Sequence, residues 1–134
     1  MTLTDTLCAH ADPVVAYRAR RRLAGESERS PAMRRLRRNI GASAMARDLL
    51  RGLNLERWSP YRKWQGPHWT LYSLAEIGYP PGDRRLFPAG AGGTAERPRR
   101  CASMEGNAIW SQLELGIVDE SRVPLLADRL LALL

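Results

Sequence analysis

Two helix-plus-glycine words constrain this chain more than any other feature. Leu71-Tyr72-Ser73-Leu74-Ala75-Glu76-Ile77-Gly78-Tyr79 is echoed by Ile109-Trp110-Ser111-Gln112-Leu113-Glu114-Leu115-Gly116-Ile117, an offset of 38 positions between 71 and 109. Aromatic answers aromatic, Ser and Glu repeat, an aliphatic residue precedes each Gly, and an apolar one follows it. A period in the high thirties belongs to stacked helical repeats, where each unit buries its apolar face on a neighbour. No segment alternates with the period of two that marks a strand, so the chain is expected to be all-α, built of helical-hairpin repeats.

Helix signals recur along the whole sequence. Asp12-Pro13 reads as an N-cap followed by Pro at the first helical position, with Gly25 as the stop. Val14, Tyr17 and Leu23 are expected to share the inward face of this helix, with Arg18, Arg20, Arg21 and Arg22 solvated. Ser30-Pro31 repeats the start signal, and Met33, Leu36 and Ile40 form an apolar stripe at steps of three and four. Arg34, Arg35, Arg37 and Arg38 fill the other faces. Asn39 or Gly41 ends this helix and Ser43 caps another, with Met45, Leu49 and Leu50 inward and Gly52 as the stop. A single bent helix over 32–51 is the competing reading. Leu53 to Gly66 is irregular and aromatic. Pro67 begins the first repeat helix and Gly78 ends it. A loop spans 84–100, Ser103 caps the second repeat helix, and Asp119 or Ser121 caps a last one with Pro124 in its first turn.

Residues 1–57 form a basic helical segment and 58–134 the hairpin repeats, within one structural domain overall. The net charge of +7 is lopsided: the first segment holds twelve Arg against six acids, the second nine basic residues against eight. All basic residues but Lys63 are Arg. A basic surface suits nucleic acid, and a GC-rich coding sequence produces the same bias. The arginine runs read first as solvated helix faces. No helix-turn-helix or ribonucleoprotein motif supports sequence-specific reading, so nucleic acid is the less favoured partner. No run of 18 apolar residues is present and the N-terminus lacks a signal-peptide pattern, which leaves a cytoplasmic location as the expectation. Two distant cysteines, Cys8 and Cys101, make no disulfide framework.

Three stretches, Tyr61-Arg62-Lys63-Trp64-Gln65-Gly66-Pro67-His68-Trp69, Leu74-Ala75-Glu76-Ile77-Gly78-Tyr79-Pro80-Pro81-Gly82-Asp83 and Arg100-Cys101-Ala102-Ser103-Met104-Glu105-Gly106-Asn107-Ala108, carry a family likeness. Through them residues 10–134 resemble the squalene-cyclase and prenyltransferase α/α-toroid superfamily. The resemblance implies a partial α/α toroid of concentric helices around an apolar cavity, with further repeats beyond 134, so that this chain is the N-terminal portion of a ring. The chain departs from the catalytic pattern, because no Asp-x-Asp-Asp acid and no zinc-binding Asp, Cys and His grouping can be placed in it. A fragment of a terpene-cyclase-like enzyme acting on an isoprenoid is the rival that keeps the family's chemistry.

No catalytic residue, metal ligand or cofactor is therefore assigned. If the repeat helices line a cavity, Trp64, His68, Trp69, Tyr72, Glu105, Asn107 and Trp110 are expected to meet its ligand. Each has a plainer role. The rings fill a core, and His68 is a surface or capping residue. Cys101 with Glu105 and His68, or Cys8 with His10, lacks recognised metal spacing. Glu76 and Glu114 sit where the helix dipole disfavours negative charge, so each should pair with a cation such as Arg62 or Arg100. Leu125, Leu126, Leu130, Leu131, Leu133 and Leu134 make the last helix an apolar face for a protein partner or a second copy. The expected function is binding, of an apolar small molecule or a protein, without catalysis.

Overall fold

The computed structural model describes residues 1–53, 66–87, 102–118 and 123–132, with backbone only for 102–105, 126 and 129–130. The chain is all-α: seven α-helices and one 3-10 turn, with no strand among the described residues. Two compact units form, one from Met1–Asp48 with Ile77–Pro80, the other from Leu49–Glu76 with Pro81–Leu134. No described helix is long and apolar enough to cross a membrane.

In the first unit, Thr2 and Asp5 close a capping box on α1 (Leu3–Cys8). α2 (Pro13–Arg22) starts where Asp12 accepts hydrogen bonds from the Val14 and Val15 amides. The Ser30 hydroxyl caps α3 (Pro31–Gly41) through the Met33 amide, and Ser43 caps α4 (Ala44–Gly52), which belongs to this unit up to Asp48, through the Ala46 amide. The break at Ala42 and Ser43 excludes the single bent helix over 32–51. α2 packs on both α1 and α3. Tyr17, Met33 and Ile40 form the core, with Val14, Leu36 and Ile77 packed against them. Full burial of such a side chain contributes about 1.5–3 kcal/mol.

Two expected inward residues point outward. Leu23 is 58% exposed, because six residues turn a helix about 240°, away from Tyr17. The inward positions of α2 are taken by Ala16, Tyr17 and Ala19. Met45 is 50% exposed because α4 turns Ala46 inward instead, with Leu49 and Leu50 half-buried.

Three arginines expected in solvent are drawn in. The chain between α2 and α3 brings back Glu26 and Glu28. Glu26 accepts from Arg20 at 3.3 Å, and Arg20 also donates to the Cys8 carbonyl. Glu28 holds Arg21 at 2.5 Å and Arg37 at 3.3 Å. Arg37, with its side chain 12% exposed, stacks 5.4 Å from the Tyr17 ring centre, a cation–π arrangement.

Glu26 has a measurable consequence. The Ser30 hydroxyl donates to it at 2.7 Å and, with a smaller effect from Arg20, holds its carboxyl below the ordinary glutamate range. A depressed folded pKa stabilises above the unfolded value, and that contribution is lost as pH falls through the folded one. Glu26→Gln should thus lower the urea midpoint at neutral pH, with the gap from the parent closing under acid. A gap that stays constant with pH refutes this role.

In the second unit, α6 (Ala102–Glu114) packs with α7 (Val123–Leu131), and both join the part of α5 (Pro67–Ile77) up to Glu76. Pro67 opens α5, and the Gly66 carbonyl accepts from the Trp69 and Thr70 amides. α6 already starts at Ala102, so Ser103 lies inside the helix rather than capping it. The expected loop at 84–100 begins instead with a 3-10 turn, Arg84–Leu86, capped by Asp83. Leu86 is fully buried there. The remainder of that loop, the aromatic stretch 54–65 and the caps at Asp119 and Ser121 lie outside the described residues.

Both repeated words end alike. Gly78 and Gly116 adopt φ of +81° and +59°. At Gly116 the Ile117 amide donates to the Gln112 carbonyl and the Gly116 amide to that of Leu113, a Schellman ending. The Gly82 amide then donates to the freed Leu115 carbonyl at 2.8 Å.

Candidate functional site

Four of the seven expected ligand-binding residues, His68, Trp69, Tyr72 and Trp110, form a continuous row in the second unit. The order follows from helix geometry. Residues 69 and 72 lie three apart on α5, so their rings share a face. Trp69 meets Tyr72 at 6.3 Å between ring centres, planes 76° apart. His68 extends the row at one end, 5.1 Å from Trp69 and at 75°. At the other end Tyr72 meets Trp110 of α6 at 5.4 Å and 56°. Tyr72 and Trp110 are the paired aromatics of the two repeated words, and they touch. Edge-to-face and tilted pairs set the positive ring edge against the negative face, and each contributes about 0.5–1.5 kcal/mol beyond burial.

The row is unevenly covered. His68 is 6% exposed, so it is not the surface residue of the plainer reading. Trp69, Tyr72 and Trp110 are each half-buried. The Tyr72 hydroxyl donates to Glu76 at 3.4 Å, one turn further along α5. A phenol thus meets this carboxylate, and the proposed partners Arg62 and Arg100 lie outside the described residues. Asn107 sits half-buried on α6. Trp64 lies outside the described residues, as does the side chain of Glu105.

The arrangement offers apolar ring surface bounded by a few hydrogen-bonding groups, the usual make-up of a small-molecule surface. Among the described residues no three His, Cys, Asp or Glu side chains group as a metal would require. His10 uses its ring nitrogen Nδ1 to accept from the Asp12 amide. Cys101 lies outside the described residues.

Sequence reasoning missed Gln112, 5% exposed, which occupies the register position of the buried Leu74 in the other word. A polar residue at a position its counterpart keeps apolar was the available signal. Thr70, also buried, carried no comparable mark. Comparison with known protein families, with characterised proteins and with solved structures finds no match to this chain.

Proposed function

We propose that this chain is a toroid-like helical-repeat binding module that takes an apolar ligand against the aromatic row and does not transform it. The single observation that carries this reading is the row itself. Three large, half-buried aromatic residues from two helices follow one another in contact, Trp69 on Tyr72 and Tyr72 on Trp110, with a buried imidazole at one end. The likeness of the surrounding words to the squalene-cyclase and prenyltransferase superfamily supports an apolar, isoprenoid-like ligand. The departures from that family's acid and zinc patterns support binding without turnover.

Titration of the full chain with a branched apolar alcohol such as farnesol, followed by tryptophan fluorescence, tests this. Binding should saturate, and Trp110→Ala should weaken it at least about tenfold, or roughly 1.4 kcal/mol. Trp110→Phe, which keeps a ring in the row, should retain most affinity. Absence of any spectral response up to the solubility limit, or equal affinity in Trp110→Ala, sinks the proposal.

A second reading, a protein partner or a second copy at α7, is favoured by Leu125 and Leu131, 53% and 66% exposed. A mass that rises with concentration in sedimentation, without a ligand response, would favour it.

A further inference from the structure

We infer that the outward face of α3 is a phosphate-binding surface for the backbone of nucleic acid, independently of the ligand site. Residues 29–47 hold six arginines and no acid, and the structure sorts these cations into two groups. Arg37 is taken inward by Glu28 and Tyr17, and Arg47 donates to the Ala42 carbonyl. Arg29 precedes α3 and is exposed, and on α3 itself Arg34, Arg35 and Arg38 are exposed. At about 100° per residue these last three occupy one arc opposite Met33, Leu36 and Ile40.

Four of the five acids in this unit are engaged elsewhere, Asp48 on α4 being the fifth. Asp5 closes the α1 capping box, Asp12 caps α2, Glu26 holds Arg20 and Ser30, and Glu28 holds Arg21 and Arg37. α3 itself carries three exposed cations and no acid, so its outward face is positive. It also works against the helix. Arg34 and Arg38 are like charges four residues apart, and the first turn of α3 has no acid to complement its dipole. Arg38 in the last turn suits the dipole, so what an external anion relieves is the repulsion between Arg34 and Arg38. The fork of a guanidinium matches phosphate oxygens in two parallel hydrogen bonds.

The face selects between two polyanions. A helix that lies in a membrane surface needs an apolar side to insert, and the apolar side of α3 is already packed in the core through Met33, Leu36 and Ile40. Charge alone gives an anionic bilayer only loose surface adsorption, whereas it suits the regular phosphates of a nucleic-acid strand and carries no base reading.

Anisotropy of a labelled random-sequence DNA duplex, titrated with the full chain at low salt, tests the proposal. Three phosphate contacts predict that log K falls with log salt at a slope of about −3. Each Arg→Gln change at 34, 35 or 38 should reduce that slope by about one unit, and the triple variant should lose binding. Arg84→Gln, in the other unit, should change nothing. Helical circular dichroism and the urea midpoint confirm that the triple variant is folded. The inference is overturned by no binding at low salt, or by a folded triple variant that binds within about twofold of the parent. It is also overturned by vesicles of phosphatidylserine and phosphatidylcholine that hold the chain more tightly than the duplex does.

Discussion

Gly78→Ala is expected to cost about 2–6 kcal/mol of stability, read as a fall in the urea midpoint of the first unit. Two terms add. The backbone at Gly78 has φ +81°, where a side chain brings strain of about 1–3 kcal/mol. A Cβ there would also stand 2.9 Å from Cζ of Tyr17 and closer still to Cδ1 and Cε1. Tyr17 is 1% exposed and sits in the core with Met33 and Ile40, so its ring has little room to yield. Overpacking of this kind costs about 1–3 kcal/mol. Gly25→Ala separates the two terms. Gly25 has a similar φ of +64°, yet nothing lies within 4 Å of the added carbon, so only the backbone term applies. If both variants lose the same stability, the close approach of Tyr17 to Gly78 is wrong.

Leu86→Ala should cost about 2–5 kcal/mol, and Phe87→Ala less than about 1 kcal/mol. Ranked by size and apolarity, Phe87 is the residue that a reader of the sequence would place inside. The structure reverses the order: Leu86 is wholly buried and Phe87 is 46% exposed. The 3-10 turn opened by Asp83 aims the two side chains apart, and the packed one leaves a cavity when truncated. Because the chain forms two compact units, unfolding need not be two-state. The loss should therefore appear in the transition of the second unit, followed by fluorescence of Trp69 and Trp110. Equal losses for the two variants, or a larger loss for Phe87→Ala, would contradict the described turn.

The candidate site was legible in proportion to how local its cause is. Trp69 and Tyr72 share a helix face by spacing alone, and the paired words singled out Trp110 as the counterpart of Tyr72. Their contact across α5 and α6 has no local cause. His68 shows the limit from the other side. A first-turn histidine reads as a surface or capping residue, and only tertiary packing buries it. Arg20, Arg21 and Arg37 have the same history. Nothing in a helical wheel predicts that Glu26 and Glu28, in the connection between α2 and α3, will fold back onto them.

The sequence by itself determined the all-α class, the helix starts at Asp12, Ser30, Ser43 and Pro67, and the stops at Gly78 and Gly116. These depend on backbone donors, fixed φ values and side-chain reach within about one turn, which the order of residues already contains. Tertiary structure decided which residues are buried, turning the inward candidates Leu23 and Met45 out and bringing in Ala46 and Leu86, which the pattern had not marked. It also decided which arginines are neutralised and which remain on the surface. Burial and charge pairing depend on groups distant in the chain, whose positions follow only when the whole unit has packed.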